Sequence, residues 1–229
     1  ALLNGEALKQ VIASVCPDIV DVTEIPAPDI DAILVAMRMT SYGDDMELDV
    51  NHGCEASDGK SQRVTVGLGS VLSTSRSIPE ELGTVTLANG VVVRLKPYTL
   101  EAQSKLLRTQ FSTMRQLQAA EANEKATIEQ KANIANDGYN QLVSLSQEIL
   151  AESIISVTLP DGTAVTNAGH ILEWVKNLDR ASNSRLDDEL KQFNEFGITR
   201  TLKVKCEHCS EDFTTDMLFD PTSFFANGS

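Results

Sequence analysis

The sequence predicts an α+β fold: two related helix–β-hairpin lobes with short antiparallel sheets, linked by a long helical hairpin or a single bent helix. Three observations support this prediction. Alternating polar and apolar residues recur in pairs around short polar turns, which is typical of β-hairpins. Elsewhere, apolar residues recur at helical spacing in segments that stop at glycine. Between them, the stretch from Thr99 to about Glu152 is almost free of glycine and proline.

The order of these patterns divides the chain into four segments. The first helix–hairpin lobe is expected over residues 1–78, a β-hairpin over 79–98, the long helical segment over 99–155 and the second lobe over 156–229. A chain of 229 residues is long enough to bury a sizeable core.

The first lobe begins with an amphipathic helix over residues 6–16, which Pro17 ends. A second helix is expected from an N-cap at Asp29 to about Met39, with Gly43 as its stop. Because this helix is apolar on nearly every side, it is expected to be buried. The alternating runs "MELDVNH" and "QRVTVGLGSV" then predict a hairpin around "GCEASDGK".

The second predicted hairpin is "GTVTLANGVVVRL". Asn89-Gly90 lies at its centre. Asn-Gly is the strongest two-residue hairpin signal, because both turn positions require a positive φ.

The long helical segment carries a seven-residue repeat of apolar positions, which is the pattern of a coiled-coil seam. Asp137-Gly138 is expected to break or bend the segment, so that it forms two helices or one bent helix. A solvated helical hairpin and a helix that docks on a neighbouring subunit are both compatible with this pattern. The repeat comprises Leu107, Met114, Ile128, Ala135, Leu142 and Ile149 at one position and Phe111, Ala132 and Tyr139 at its companion.

The second lobe repeats the plan of the first. It has a hairpin turning at Pro160-Asp161-Gly162, two helices that end at Gly197, and the alternating runs "TRTLKVKC" and "EDFTTDMLF". In both lobes a helix opens with acidic residues and stops at glycine, and a strand then leads into a cysteine turn. A duplicated helix–helix–hairpin unit is the simplest account.

The charge of the chain restricts its partners. The net charge is −14 at neutral pH, and the basic residues are scattered. A general nucleic-acid binder needs clustered Lys and Arg to displace counterions, so binding to nucleic acid or to an anionic membrane is not expected. The longest apolar runs are also too short to span a bilayer.

The cysteine turns are the candidate metal ligands. Cys206 and Cys209 have the spacing of one half of a zinc site, and a structural zinc needs four ligands. If the two lobes pack face to face, Cys54 and His52 from the equivalent turn would complete a Cys₃His site. The alternative is a degraded knuckle with free thiols and no cofactor. A redox pair is disfavoured, because such pairs lie where a strand meets a helix, and here strand follows strand.

No catalytic signature is present among the sequence motifs considered. The chain has no GxGxxG, GxxxxGK[ST], GxSxG or HExxH motif, and its three histidines are far apart in sequence. The prediction is therefore a protein that is not an enzyme.

Three stretches resemble the T-even-type phage baseplate protein family, whose members are structural subunits in or near the central hub of contractile tails. "PDIDAILVAMRMTSYGDDMELDVNHGC" is similar to the family's helix, strand and first cysteine knuckle. "VTLANGVVVRLKPYTLEAQSKLL" resembles its hairpin and the step into a helix. "LKVKCEHCSEDFTTDMLFDPTSFFA" resembles its terminal knuckle and phenylalanine-rich tail.

The resemblance implies a virion component of the tail baseplate, assembled in a bacterial cytoplasm, that binds other baseplate and tail subunits and, as one candidate, further copies of itself. The aromatic tail is the expected interface, since exposed aromatic clusters mark contact surfaces. A transient assembly chaperone absent from the mature particle is the alternative, and a small zinc-dependent enzyme is a third. The expected interface residues are Phe219, Pro221, Phe224 and Phe225.

Overall fold

The computed structural model describes residues 6–123 and 125–217. Its seven helices and short antiparallel sheets, counted over the described residues, confirm the predicted α+β class. The helices are α1 (Glu6–Val15), α2 (Ala27–Tyr42), α3 (Leu68–Leu72), α4 (Leu100–Ala122), α5 (Ile128–Glu152), α6 (Ala168–Lys176) and α7 (Arg180–Phe193). The strands are β1 (Asp45–Val50), β2 (Gln62–Gly67), β3 (Thr84–Thr86), β4 (Val92–Leu95), β5 (Ile154–Thr158), β6 (Ala164–Val165), β7 (Thr201–Lys205) and β8 (Asp212–Asp216).

The chain divides into two compact units, and each is assembled from two separate stretches of sequence. The helical unit comprises Ala1–Ala27 and Pro79–Glu195. The cysteine unit comprises Pro28–Ile78 and Phe196–Ser229. The sequence analysis predicted four consecutive segments. In the structure, residues 28–78 and 196–229 share one unit, and residues 1–27 belong to the other unit. The proposed duplication of two lobes stays a prediction.

The helical unit contains a four-stranded antiparallel sheet in the order β3-β4-β5-β6. Gly90, at φ +80°, lies in the turn between β3 and β4, and Gly162, at φ +88°, lies between β5 and β6. Both predicted hairpins are therefore confirmed. One face of the sheet is buried, through Val85, Val93 and Val157, as the alternation of the strands requires.

The helices α4 and α5 form an antiparallel hairpin inserted between β4 and β5. The N-cap of α4 is Thr99, whose hydroxyl accepts from the backbone N–H of Ala102 at 3.3 Å. At the other end, α5 starts with a capping box between Thr127 and Gln130. The chain therefore changes direction between Ala122 and Ile128.

The predicted break at Asp137-Gly138 is wrong, because Gly138 lies inside α5 and is buried. Its role is close packing, since a Cβ placed on Gly138 would lie only 2.5 Å from Cγ2 of Thr113 on α4. Ion pairing agrees with the antiparallel arrangement, with Lys105 Nζ 3.4 Å from Glu152 Oε1. The glycine therefore allows the two helices to approach closely instead of ending one of them.

The other helices of this unit bury one apolar face each. Ile12 of α1 is fully buried, and Lys9 pairs with Glu101 of α4 at 2.6 Å. The helix α6 buries Ile171 and Val175, and α7 buries a larger set, which is Leu186, Leu190 and Phe193. The helices α6 and α7 begin at side-chain caps, Asn167 and Asp179, and all three helices have the amphipathic spacing predicted from sequence. Among the described residues, none of the helices has both the length and the apolar character required to cross a bilayer.

The cysteine unit is built from α2, α3 and two hairpins, β1-β2 and β7-β8. Half of the residues of α2 are buried, with Leu34 and Val35 almost inaccessible, in line with its apolar composition. The helix starts at Ala27, so Asp29 lies in its first turn and the predicted N-cap at Asp29 is wrong. The proline at position 28 is suited to a first turn, where its missing N–H costs nothing. Gly43, at φ +91°, follows the helix as predicted.

Candidate metal centre

Two strand ends bring the candidate ligands together within the cysteine unit. The strand β1 ends at Val50 and leads into the loop that carries His52 and Cys54. The strand β7 ends at Lys205 and leads directly into the turn that carries Cys206 and Cys209. Each ligand pair thus follows a strand whose alternating pattern was visible in the sequence.

The four predicted ligands form one cluster. Their donor atoms all lie within 4.8 Å of one another. The Sγ atoms of Cys54 and Cys206 are 3.8 Å apart, and Sγ of Cys209 is 3.4 Å from Nδ1 of His52. All four cysteines of the chain are free thiols, and a sulfur separation of 3.8 Å is far longer than the roughly 2.05 Å of a disulfide. The cluster could therefore hold a metal ion.

These distances can be compared with a tetrahedral zinc site. Bond lengths of about 2.3 Å to sulfur and about 2.0 Å to nitrogen give separations of about 3.8 Å between two sulfurs and about 3.5 Å between sulfur and nitrogen. The separations observed between Cys54 and Cys206 and between Cys209 and His52 agree with both values. The donor set is of the soft, nitrogen-and-sulfur kind that zinc prefers.

The loop after β1 is shaped by short-range hydrogen bonds. The side chain of Asn51 accepts from the backbone N–H of Gly53 at 2.7 Å, and Gly53 has φ +67°. The hydroxyl of Ser57, which is buried, donates to the carbonyl oxygen of Cys54 at 2.7 Å. The ligand spacing His-x-Cys is uncommon, and this glycine-containing turn is what directs both side chains toward one point.

The turn after β7 is a tight knuckle. The backbone N–H of Ser210 donates to the carbonyl of Cys206 at 2.9 Å, and Cys206 N–H donates to the carbonyl of Glu211 at 2.8 Å. Ser210 adopts φ +64°, a left-handed conformation that non-glycine residues rarely occupy. The knuckle therefore holds Cys206, which is 1% exposed, beneath the turn and Cys209 beside it.

The surroundings of the two knuckle thiols shift their pKa values in opposite directions. The N–H of Cys209, opposed by burial and assisted by the N–H of His208, lowers the pKa of Cys206 to about 6. The N–H of Glu211 acts in the same sense on Cys209, but burial and the neighbouring thiols outweigh it and raise the pKa of Cys209. Thiolate is the form that ligates a metal, so the knuckle favours one ligand-ready sulfur.

An aromatic residue fixes the histidine. The rings of His52 and Phe213 on β8 stack with centroids 4.5 Å apart and an interplanar angle of 20°. This contact orients Nδ1 of His52 toward Cys209. The histidine inside the knuckle, His208, is exposed and is not part of the cluster. Cys16 and His170 belong to the helical unit and do not contribute either.

Sequence reasoning missed the residue that joins the two hairpins. The side chain of Gln62, at the start of β2, is 6% exposed. Its Nε2 donates to the carbonyl of Lys205 at 2.9 Å, and its Oε1 accepts from the N–H of Glu207 at 2.8 Å. Gln62 therefore pairs with the backbone on both sides of Cys206. A polar residue at an alternating strand position, where apolar residues are expected to face the core, was the available signal.

The family model described as T4 bacteriophage base plate protein matches residues 3–226, which is nearly the whole chain. The chain belongs to this family. No curated protein and no solved structure gave a significant match. The predicted resemblance to a phage baseplate family is thereby confirmed.

The baseplate family match covers both cysteine turns and most of the aromatic tail. Phe219, Pro221, Phe224 and Phe225, predicted from sequence to form an interface, lie outside the described residues.

Proposed function

We propose that the chain is a structural subunit of the baseplate of a contractile phage tail, in the hub region, and that it acts by binding other baseplate subunits. The family match over residues 3–226 carries this proposal. The partners are other tail and baseplate subunits, the location is the tail of the virion, and the role involves no catalysis.

The cluster of the cysteine unit supports a structural role. We propose that His52, Cys54, Cys206 and Cys209 bind a structural zinc ion. Four protein donors close a tetrahedral site, whereas a catalytic zinc keeps a position open for water or substrate. The zinc-dependent enzyme considered from the sequence is therefore the less favoured function.

The proposed zinc would cross-link two parts of the cysteine unit. It would link the loop after β1 to the turn after β7, alongside the two hydrogen bonds of Gln62. The chain then continues from β8 to the aromatic tail at Phe219 and beyond. Pinning the base of β8 in this way would hold in place the strand that precedes the proposed interface residues Phe219, Pro221, Phe224 and Phe225 in the sequence.

Mass spectrometry of purified particles tests the baseplate proposal. Tails and complete virions of the phage that encodes the chain are separated by density gradient, and the chain is quantified against known baseplate subunits. A constant, stoichiometric ratio in tails and virions is expected. If the chain occurs in assembly intermediates but is absent from mature particles, the assembly-chaperone alternative replaces the proposal. Chemical cross-links between the aromatic tail and hub subunits would show that the chain lies in the hub region.

Gln62→Leu is expected to loosen the proposed zinc site without removing a ligand. The change deletes two hydrogen bonds and leaves the Glu207 N–H and the Lys205 carbonyl without this partner, at a cost of about 2 kcal/mol. Zinc stoichiometry should stay at one per chain, while transfer to a coloured chelator accelerates several-fold. The measurement is stopped-flow absorbance with excess chelator.

The control for this variant is Gln116→Leu, at an exposed position of α4 in the helical unit. It changes the same side-chain type and should leave the transfer rate unchanged. Equal rates for the Gln62→Leu variant and the unmodified protein would show that these hydrogen bonds do not support the site.

A further inference from the structure

The helical hairpin exposes an unusual amount of apolar surface. Most residues of the predicted coiled-coil repeat stay exposed, although Ile149 is buried, and α4 and α5 approach each other closely through Thr113 and Gly138 instead. The apolar side chains left accessible are Leu107 (59% exposed), Phe111 (53%), Met114 (57%), Ile128 (89%), Tyr139 (68%) and Val143 (38%). These six residues are called the hairpin face below.

The members of the hairpin face on α4 and α5 lie on the same side of the hairpin. One cavity near the base is lined by Gln103 of α4 and Ser146 of α5, which therefore point to a common side. Leu107 and Met114 follow Gln103 at helical spacing, one and three turns along α4. Tyr139 and Ile128 precede Ser146 at matching spacing on α5. The two rows form one surface.

This surface carries few acidic side chains. The positions that continue it between the apolar residues are Gln103, Gln110 and Gln118 on α4 and Ala132, Ala135 and Ser146 on α5. The charged groups at its edges are the guanidinium of Arg115, 5.8 Å from the centre of the Phe111 ring, and Asp187 and Lys191 of α7, which line the cavity at the base. The chain as a whole carries a net charge of −14, so a strip with few acidic side chains is a local departure from its composition.

We propose that the hairpin face binds the hairpin face of a second copy of this chain, so that α4 and α5 of two molecules form a four-helix bundle. The seven-residue spacing of the face selects a helical partner, because side chains at that spacing interlock with a similarly spaced row. A face with few acidic side chains is also where two strongly acidic molecules meet with the least Coulomb repulsion.

The area is sufficient for a stable dimer. Large apolar and aromatic side chains offer roughly 150–250 Å² each, so six of them at the observed exposures offer on the order of 700 Å². A standard specific interface buries about 800 Å² per partner, and such interfaces bind at micromolar concentration or tighter. This inference does not depend on the baseplate proposal, since it concerns the isolated chain.

Sedimentation equilibrium of the full chain tests the dimer. The unmodified protein is expected to be dimeric at about 10 µM, as the area implies. Phe111→Glu combined with Tyr139→Glu should weaken association at least about 100-fold, because carboxylates would be buried without partners in the interface. Both residues are exposed, so the variant should fold, with an unchanged circular dichroism spectrum.

The matched control is Ser112→Glu combined with Ser144→Glu, which adds the same charge to neighbouring exposed positions on the opposite side of the hairpin. It should remain dimeric. A protein that is monomeric at about 200 µM, or a dimer that both variants disrupt equally, would overturn the proposal and leave the face to another subunit. A dimer that persists in the Phe111→Glu, Tyr139→Glu variant would overturn it as well.

Discussion

Cys206→Ser is expected to abolish stoichiometric zinc binding and to destabilise the cysteine unit by at least about 3 kcal/mol. Cys206 is the most buried of the four proposed ligands, and its sulfur lies 3.8 Å from that of Cys54. Serine retains the shape of the side chain but is a poor zinc ligand at neutral pH, because its hydroxyl does not ionise. The remaining donors would then hold the ion, if at all, with an open position.

The experiment measures zinc per chain by elemental analysis, and unfolding by circular dichroism with and without a chelator. The unmodified protein should contain one zinc per chain and lose stability when the ion is removed. The Cys206→Ser variant should contain little zinc and respond little to chelator. Zinc-free unmodified protein whose melting is insensitive to added zinc would reject the metal proposal.

Cys16→Ser is the control, because Cys16 is a half-buried thiol that follows α1 and lies outside the cluster. Its zinc content and chelator response should match those of the unmodified protein. Similar losses in both variants would instead indicate nonspecific binding by thiols.

The cysteine cluster could be predicted because its signals are local. Each ligand pair follows an alternating strand, and both hairpins are marked by turn residues that need no tertiary information. The pairing of the two turns came from the similarity of the two halves of the chain. In the structure a glycine with positive φ precedes each strand, Gly43 before β1 and Gly197 before β7, while the proposed duplication stays a prediction.

The helical hairpin shows what the sequence could not specify. A seven-residue repeat identifies which side chains share a face, but not which neighbour covers that face. The helices approach closely through Thr113 and Gly138, where a small residue permits it, and most of the apolar repeat is left exposed. Glycine was interpreted as a helix breaker from its intrinsic propensity, and tertiary packing outweighed that propensity at position 138.

The two-unit organisation was equally hidden. The segments of the cysteine unit are separated by more than a hundred residues, and the contacts that join them are made by single side chains such as Gln62. The signal for Gln62 in the sequence is a single polar residue at a position of β2 where the alternation places apolar ones, and it does not name the partner of that residue. Gly197 and the start of α2 also make a contact that joins the two segments. Substitution of this glycine is the second of the two changes for which we expect a large loss of stability.

Gly197→Ala is expected to destabilise the cysteine unit by about 2–5 kcal/mol. At φ +82° an L-residue is strained by about 1–2 kcal/mol. In addition, a Cβ at this position would overlap the carbonyl oxygen of Pro28 and approach its carbonyl carbon at 3.1 Å. That backbone belongs to the first turn of α2, which is buried and cannot move aside, so overpacking adds roughly 1–3 kcal/mol.

The local hydrogen bonds leave little room for relaxation. The backbone of Gly197 pairs with that of Arg76 in both directions, at 2.9 and 3.1 Å, and the N–H of Thr199 donates to Thr74 Oγ1 at 2.8 Å. A shift of Gly197 away from Pro28 would break these bonds just before β7 begins. The loss of stability therefore affects β7, the strand that leads to Cys206.

Gly43→Ala separates backbone strain from the steric clash. Gly43 belongs to the same unit and has φ +91°, but a Cβ there would meet nothing within 4 Å. This variant should lose only the strain of about 1–2 kcal/mol. Urea unfolding of both variants with zinc present should therefore differ by at least about 1 kcal/mol. Equal losses would mean that the contact with Pro28 contributes nothing and that α2 is free to adjust. Because neither variant alters a proposed ligand, both should still bind one zinc per chain at low temperature, which distinguishes a loss of stability from a loss of the site.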